Sequence, residues 1–197
     1  MTQEKKAWKR VLFSSTLEGK NESHKIAYIA VMTALIVVAN MFFEFKFAET
    51  QFSLTLFISA LTGFIIGPIF GFVACFLGDL VGFLYHSSGY AYLPWIGISM
   101  GLTASIAGFC KELPLGFKGG KFVKIALVAL LSFALCTVAI NTTAFWLLYA
   151  KGGVPYTTYL VSRLFVQGQI WNSLFNYALL FIAAPTLSKI KPLGFNL

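Results

Sequence analysis

Charged side chains are scarce in this chain. Of its 197 residues only 11% are Asp, Glu, Lys or Arg, against about 25% in a soluble globular domain, which excludes a fold whose whole surface faces water. Histidine is close to absent. His24 and His86 are too few and too far apart to hold a metal. Cys75, Cys110 and Cys136 stand at irregular spacing in or beside apolar runs, with no second thiol two or three residues away. They read as small buried hydrophobes and support neither a disulfide framework nor a thiolate metal site. No cofactor or metal is implied.

Energising and catalytic motifs are missing too. A phosphate loop has the form G-x-x-x-x-G-K-[ST], and the nearest approach, Gly119-Gly120-Lys121-Phe122, lacks both the first glycine and the final hydroxyl. No H-E-x-x-H occurs, which removes the zinc-protease signature, and no serine–histidine pair suggests acyl transfer. Asp79 is the only acidic residue inside an apolar run, so the second carboxylate of an aspartyl protease is absent. An enzyme is not expected.

What the chain has in abundance is apolar surface: 58% of residues are hydrophobic and the mean hydropathy is +0.79. Continuous apolar runs lie at about 26–43, 52–66, 69–84, 93–109, 123–149 and 161–187, each near the roughly 20 residues that cross a bilayer, the second and third being short. Gly67-Pro68 separates those two and predicts a tight helical hairpin. Lys5, Lys6, Lys9 and Arg10 resemble the start of a signal peptide. The apolar stretch after them, Val11 to Phe13, is too short, and the run beginning at Ile26 lacks a cleavage site, so insertion rather than secretion is expected. The fold class expected is all-α: a polytopic membrane protein with six transmembrane helices and cytoplasmic N- and C-termini. It divides into a basic cytoplasmic segment over 1–25, a membrane domain over 26–190 and a cytoplasmic tail over 191–197.

Orientation follows from the basic residues, which concentrate on the cytoplasmic side. With the N-terminus inside, Lys5, Lys6, Lys9, Arg10, Lys20, Lys25, Lys111, Lys118, Lys121, Lys124, Lys189 and Lys191 are cytoplasmic, and only Lys46, Lys151 and Arg163 of the 15 basic residues fall outside. The net charge of +8 is thus matched to anionic membrane lipid, not to nucleic acid. A multi-pass protein of the cell membrane is expected. Within residues 1–25, Trp8, Val11 and Leu12 share a helical face; an interfacial helix and a disordered segment both fit.

Small residues recur at helical spacing: Ala27, Ala30 and Ala34 in the first run; Gly67, Gly71, Cys75, Gly78 and Gly82 in the third; Gly97, Gly101, Ala104, Ser105 and Gly108 in the fourth. In lipid, helices associate where such residues allow backbones to approach. Internal packing accounts for most of these, and the alanine face of the first helix also suits an external helical partner. Polar residues form a second pattern. Asp79, Asn141, and Arg163 with Gln167 at i, i+4 all fall in the outer half of their runs, with Trp95, Trp146 and Trp171 at similar depth. Ionisable groups in spans face protein or a cavity, so these residues predict a pocket on the outer side. The loops Glu44 to Gln51 and Tyr85 to Pro94, rich in aromatics, serine and glycine, are suited to cover a flat, partly polar ligand. No inverted repeat of the kind seen in secondary transporters is visible between 26–109 and 123–187.

These residues resemble the substrate-binding S components of energy-coupling factor (ECF) vitamin transporters. Ala30-x-x-x-Ala34 is similar to that family's small-residue docking motif. Gly67-Pro68-Ile69-Phe70-Gly71, Gly78-Asp79-Leu80-Val81-Gly82, Ser88-Gly89 with Pro94, Asn141-Thr142, Trp146-Leu147 and Arg163 are similar to its folate-specific branch. The resemblance implies capture of a vitamin from outside, docking on a transmembrane coupling subunit through Ala27, Ala30 and Ala34, and release inward while two partner ATPase subunits hydrolyse ATP. It implies folate as the first substrate, with pantothenate, cobalamin or its precursors and hydroxymethylpyrimidine as others. A membrane scaffold without a small-molecule ligand is the alternative of a different class. The binding residues expected are Asp79, Tyr92, Trp95, Asn141, Trp146, Arg163, Gln167 and Trp171. Arg163 would meet a ligand carboxylate, and Trp95, Trp146 and Tyr92 would supply stacking surfaces.

Overall fold

The computed structural model describes residues 13–47, 50–85, 91–117, 119–150, 153–190 and 197. The Trp8, Val11 and Leu12 face, the Ser88-Gly89 pair, Lys118, Lys151 and residues 191–196 of the tail lie outside the described residues. The helices are α1 (Glu22–Phe42), α2 (Thr55–Ile66), α3 (Pro68–Tyr85) and α4 (Pro94–Lys111), then α5 (Gly120–Ala150), a short α6 (Tyr156–Val161) and α7 (Gln169–Leu187). Two strands, β1 (Glu44–Phe47) and β2 (Thr50–Ser53), pair antiparallel between α1 and α2, with Glu44 opposite Ser53 and Phe47 opposite Thr50. This pair is an addition to the all-helical expectation, and it moves the start of the second helix from 52 to Thr55.

The distribution of polarity is that of a protein whose solvent is lipid. Ser59, Thr62, Thr103, Thr142 and Asn176 are completely buried, whereas Ile26, Leu84, Leu130 and Ile182 stand outside. In water such an exterior would be an aggregation hazard; in hydrocarbon it costs nothing, and the backbone is satisfied inside the helices. Among the described residues four helices are long and apolar enough to cross a membrane: α1, α3, α5 and α7. The 12 residues of α2 reach only about 18 Å at 1.5 Å per residue. The chain is a predominantly helical, polytopic membrane protein.

Close backbone contact holds α2, α3 and α4 together. A side chain on Gly63 of α2 would overlap the Ala104 carbonyl of α4, and Gly78 of α3 sits where a Cβ would lie 2.7 Å from Ile36 Cγ2 of α1. The glycine stripes thus serve packing within the chain. The end of the bundle carrying Lys111 is closed by the segment that precedes α1. Leu17 is fully buried there, Ser14 N–H donates to the Ile66 carbonyl at 2.8 Å, and Lys111 Nζ donates to Thr16 Oγ1 and, at 2.9 Å, to the Phe64 carbonyl. The hairpin and the α4 N-terminus mark the opposite end.

Two helices depart from α geometry. In α5 the stretches Phe133–Thr142 and Trp146–Ala150 are π-helical, and α6 runs on through a π-turn at Ser162–Val166. Such widened turns are rare and concentrate where function needs a shifted side chain. The sixth apolar run is therefore not one helix: the π-turn ends at Gln167, Gly168 adopts a left-handed φ of 72°, and α7 starts afresh at Gln169.

Candidate ligand site

The polar residues near the hairpin end form two groups of different character. The first centres on Asp79, in the last two turns of α3. Its Oδ1 accepts from Asn40 Nδ2 of α1 at 3.1 Å and its Oδ2 accepts from the Tyr92 hydroxyl at 3.0 Å. Gly97 of α4 makes room for this, because a Cβ there would lie 2.7 Å from the Tyr92 oxygen and 2.9 Å from Asp79 Oδ2. Burial, and then the neighbouring carboxylate, push the Tyr92 hydroxyl pKa upward, keeping it a donor. Both carboxylate oxygens are engaged within the protein, so Asp79 and Tyr92 join α1, α3 and the entry to α4.

The second group has donors to spare. Arg163, in the π-turn after α6, is 8% exposed and lies with its guanidinium carbon 4.0 Å from the centre of the Phe145 ring of α5. Trp95, in the first turn of α4, meets the same ring edge-on at 6.1 Å. Arg163 Nε and Trp95 Nε1 are both buried without a hydrogen-bond partner. Unpaired buried donors are rare and need an explanation. Nearby, Asn141 on the π-helical part of α5 accepts a hydrogen bond from Ser99 Oγ of α4 at 2.9 Å. An aromatic wall, a guanidinium, an indole N–H and a side-chain amide are suited to a flat conjugated ligand bearing acceptor or anionic groups.

The remaining expected residues lie elsewhere. Trp146 donates from Nε1 to the Val154 carbonyl at 2.9 Å and packs edge-on against Tyr156 at 5.5 Å, which ties down the α5–α6 connection. Gln167 is exposed although Arg163 is buried. The two do not share a buried face, because the helix ends at Val166 and Gln167 occupies its C-cap before the left-handed Gly168. Trp171 belongs to the new helix and is 55% exposed. Ala27, Ala30 and Ala34 are exposed on the face of α1 opposite Met32, Ile36 and Ala39, which pack inward.

Four participants escaped the sequence reading. Phe145 is one of 21 phenylalanines, and nothing local distinguishes it. Asn40 at the end of the first apolar run, and Asn172 with Asn176 in the last, did carry a signal: uncharged amides within hydrocarbon spacing require partners.

A family model described as ECF-type riboflavin transporter, S component, matches residues 20–191. Among solved structures, a crystal structure of FolT bound with folic acid aligns with a TM-score of 0.63 at 23% identity, over 83% of this chain and 92% of that one; at this identity the likeness concerns the fold. No curated protein matches. The family match extends from the start of α1 to beyond the end of α7, taking in Arg163, Phe145, Trp95 and the exposed alanine face alike, and the chain belongs to the family of ECF-type transporter S components, the vitamin-binding membrane subunits of these systems.

Proposed function

We propose that this S component crosses the plasma membrane six times with both termini in the cytoplasm, and captures a vitamin from outside between α4, α5 and the π-turn. The observation that carries this is the pair of unpartnered buried donors, Arg163 Nε and Trp95 Nε1, on side chains that both pack against Phe145. Folate is the first candidate. Its pterin would stack on the aromatic side chains and a glutamate carboxylate would accept from Arg163 in a charge-assisted bond. A flavin is the second reading, favoured by the riboflavin description of the matching family.

Delivery would proceed through partners. The exposed Ala27, Ala30 and Ala34 offer a small-residue face on which a helix of a transmembrane coupling subunit fits closely. ATP hydrolysis would be supplied by two ATPase subunits, in keeping with the missing phosphate loop. The deciding experiment is native mass spectrometry of gently purified protein followed by titration calorimetry with folate and riboflavin. One-to-one binding of folate supports the first reading, and tighter binding of riboflavin the second. Binding of none of the family's vitamins overturns both.

A further inference from the structure

The start of α2 has an unusual weakness. Its N-cap is Leu54, which has no side-chain group to cap the first turn, so the leading N–H donors need partners from outside the helix. Those partners come from α7. Asn176 Oδ1 accepts from Phe57 N–H at 3.0 Å, Asn176 Nδ2 donates to the Ser53 carbonyl at 2.7 Å, and Asn172 Oδ1 accepts from Ser53 N–H at 3.0 Å. The two amides are also joined to each other, Asn176 Nδ2 donating to Asn172 Oδ1 at 3.1 Å and to the Asn172 carbonyl at 2.8 Å. Asn172 is 7% exposed and Asn176 fully buried, so the two bonds between the amides are shielded from water and those to Ser53 and Phe57 are part-buried. Phe52 adds an edge-on contact with Phe175 at 6.0 Å.

This cluster joins the base of the hairpin to the segment that follows Arg163. Ser53 ends β2, and so fixes the base of the hairpin. On the other side, Asn172 N–H donates to the Gly168 carbonyl at 3.0 Å, and Gly168 directly follows the π-turn that carries Arg163. From hairpin to guanidinium the path runs through these hydrogen bonds, the first turn of α7 and the Gln167–Gly168 break that follows the π-turn.

We infer that Asn172 and Asn176 are positioning residues for ligand retention: they latch the hairpin base and the start of α2 to α7, in register with Arg163, and their release is the step that lets the ligand leave. The inference rests on the vitamin-binding reading above. It predicts that Asn172→Ala raises the ligand dissociation rate about tenfold, the size expected when a buried hydrogen bond is lost, while a folded, binding-competent population persists. Asn172→Asp, which keeps the acceptor to Ser53 N–H, restores most of the retention. A purely structural role would lower the folded fraction and leave the dissociation rate of the remaining folded molecules unchanged, which overturns the inference.

Hydrogen exchange on the ligand-free full chain supplies an independent reading. In Asn172→Ala the amides of Ser53 and Phe57 should exchange at least tenfold faster, with those in α3 and α4 unaltered. Unchanged exchange at Ser53 and Phe57 means that there is no latch, whatever the protein binds. Faster local exchange in a protein that binds no vitamin would sustain the latch and remove the transport reading instead.

Discussion

Arg163 rests on Phe145 with 4.0 Å between the guanidinium carbon and the ring centre, and this pairing accounts for how a cation is tolerated inside the bundle. A charged residue costs about 2.5–3.5 kcal/mol at the centre of a span on insertion scales, which is the upper bound for one in the outer half. A desolvated cation–π contact returns about 2 kcal/mol. The unpartnered Nε leaves a donor free for an acceptor, and this is what the proposed ligand role of Arg163 rests on.

Arg163→Ala should lower vitamin affinity about 10- to 100-fold, corresponding to the 1.5–3 kcal/mol of a charge-assisted hydrogen bond. Because the charge it removes is only partly compensated, thermal stability of the ligand-free protein should stay level or rise. Arg163→Lys should recover little, since an ammonium lacks the planar fork that lies over the ring. Calorimetry and thermal unfolding in detergent measure both effects, and wild-type affinity in Arg163→Ala would sink the assignment.

Trp95→Phe retains an aromatic ring against Phe145 and deletes the Nε1 donor. Affinity should fall about tenfold with no loss of ligand-free stability, because that donor is unpartnered without ligand. A drop in stability without a drop in affinity would show the indole to be structural.

Asp79→Ala should behave in the opposite way. It strands Asn40 Nδ2 and the Tyr92 hydroxyl, whose partner is Asp79, and should destabilise the protein by about 1–3 kcal/mol. Vitamin affinity in the folded fraction should change less than in Arg163→Ala. Tyr92→Phe should reproduce a smaller part of the stability loss. Thermal unfolding of the two variants beside wild type checks the ordering.

Gly63→Ala places a methyl group against the Ala104 carbonyl. Backbone has to move apart there, so a destabilisation of about 1–3 kcal/mol is expected, and an unchanged unfolding midpoint would show that α2 and α4 separate freely.

Ala30→Leu tests the exposed face of α1. Since Ala30 is exposed, stability and vitamin binding should stay within about 0.5 kcal/mol of wild type. Co-purification with the coupling subunit, and uptake by cells carrying the full transporter, should be lost.

Much of the architecture is legible in the sequence because lipid imposes few solutions. Apolar runs of helical length locate the helices, Gly67-Pro68 marks the α2–α3 turn, and glycines at three- and four-residue spacing identify the surfaces where helices touch. Asp79 is conspicuous for the cost of an ionisable group in hydrocarbon. Its partners are not, since Asn40 and Tyr92 come from separate parts of the chain. The Arg163–Gln167 pairing illustrates a different limit: it assumes a continuous α-helix, and neither the π-turn nor the left-handed Gly168 is announced by hydropathy.

Sequence alone thus determines that the chain lives in a membrane, roughly where its helices run and which residue types are out of place there, because transfer into hydrocarbon is a property of each side chain. The tertiary structure decides which misplaced groups satisfy one another and which are left over. Asp79 closes its bonds with Asn40 and Tyr92, and Asn176 supplies the cap that Leu54 lacks. Arg163 and Trp95 are brought to Phe145 with donors unmet, and that remainder, fixed by packing between segments remote in the chain, is what marks the proposed ligand site.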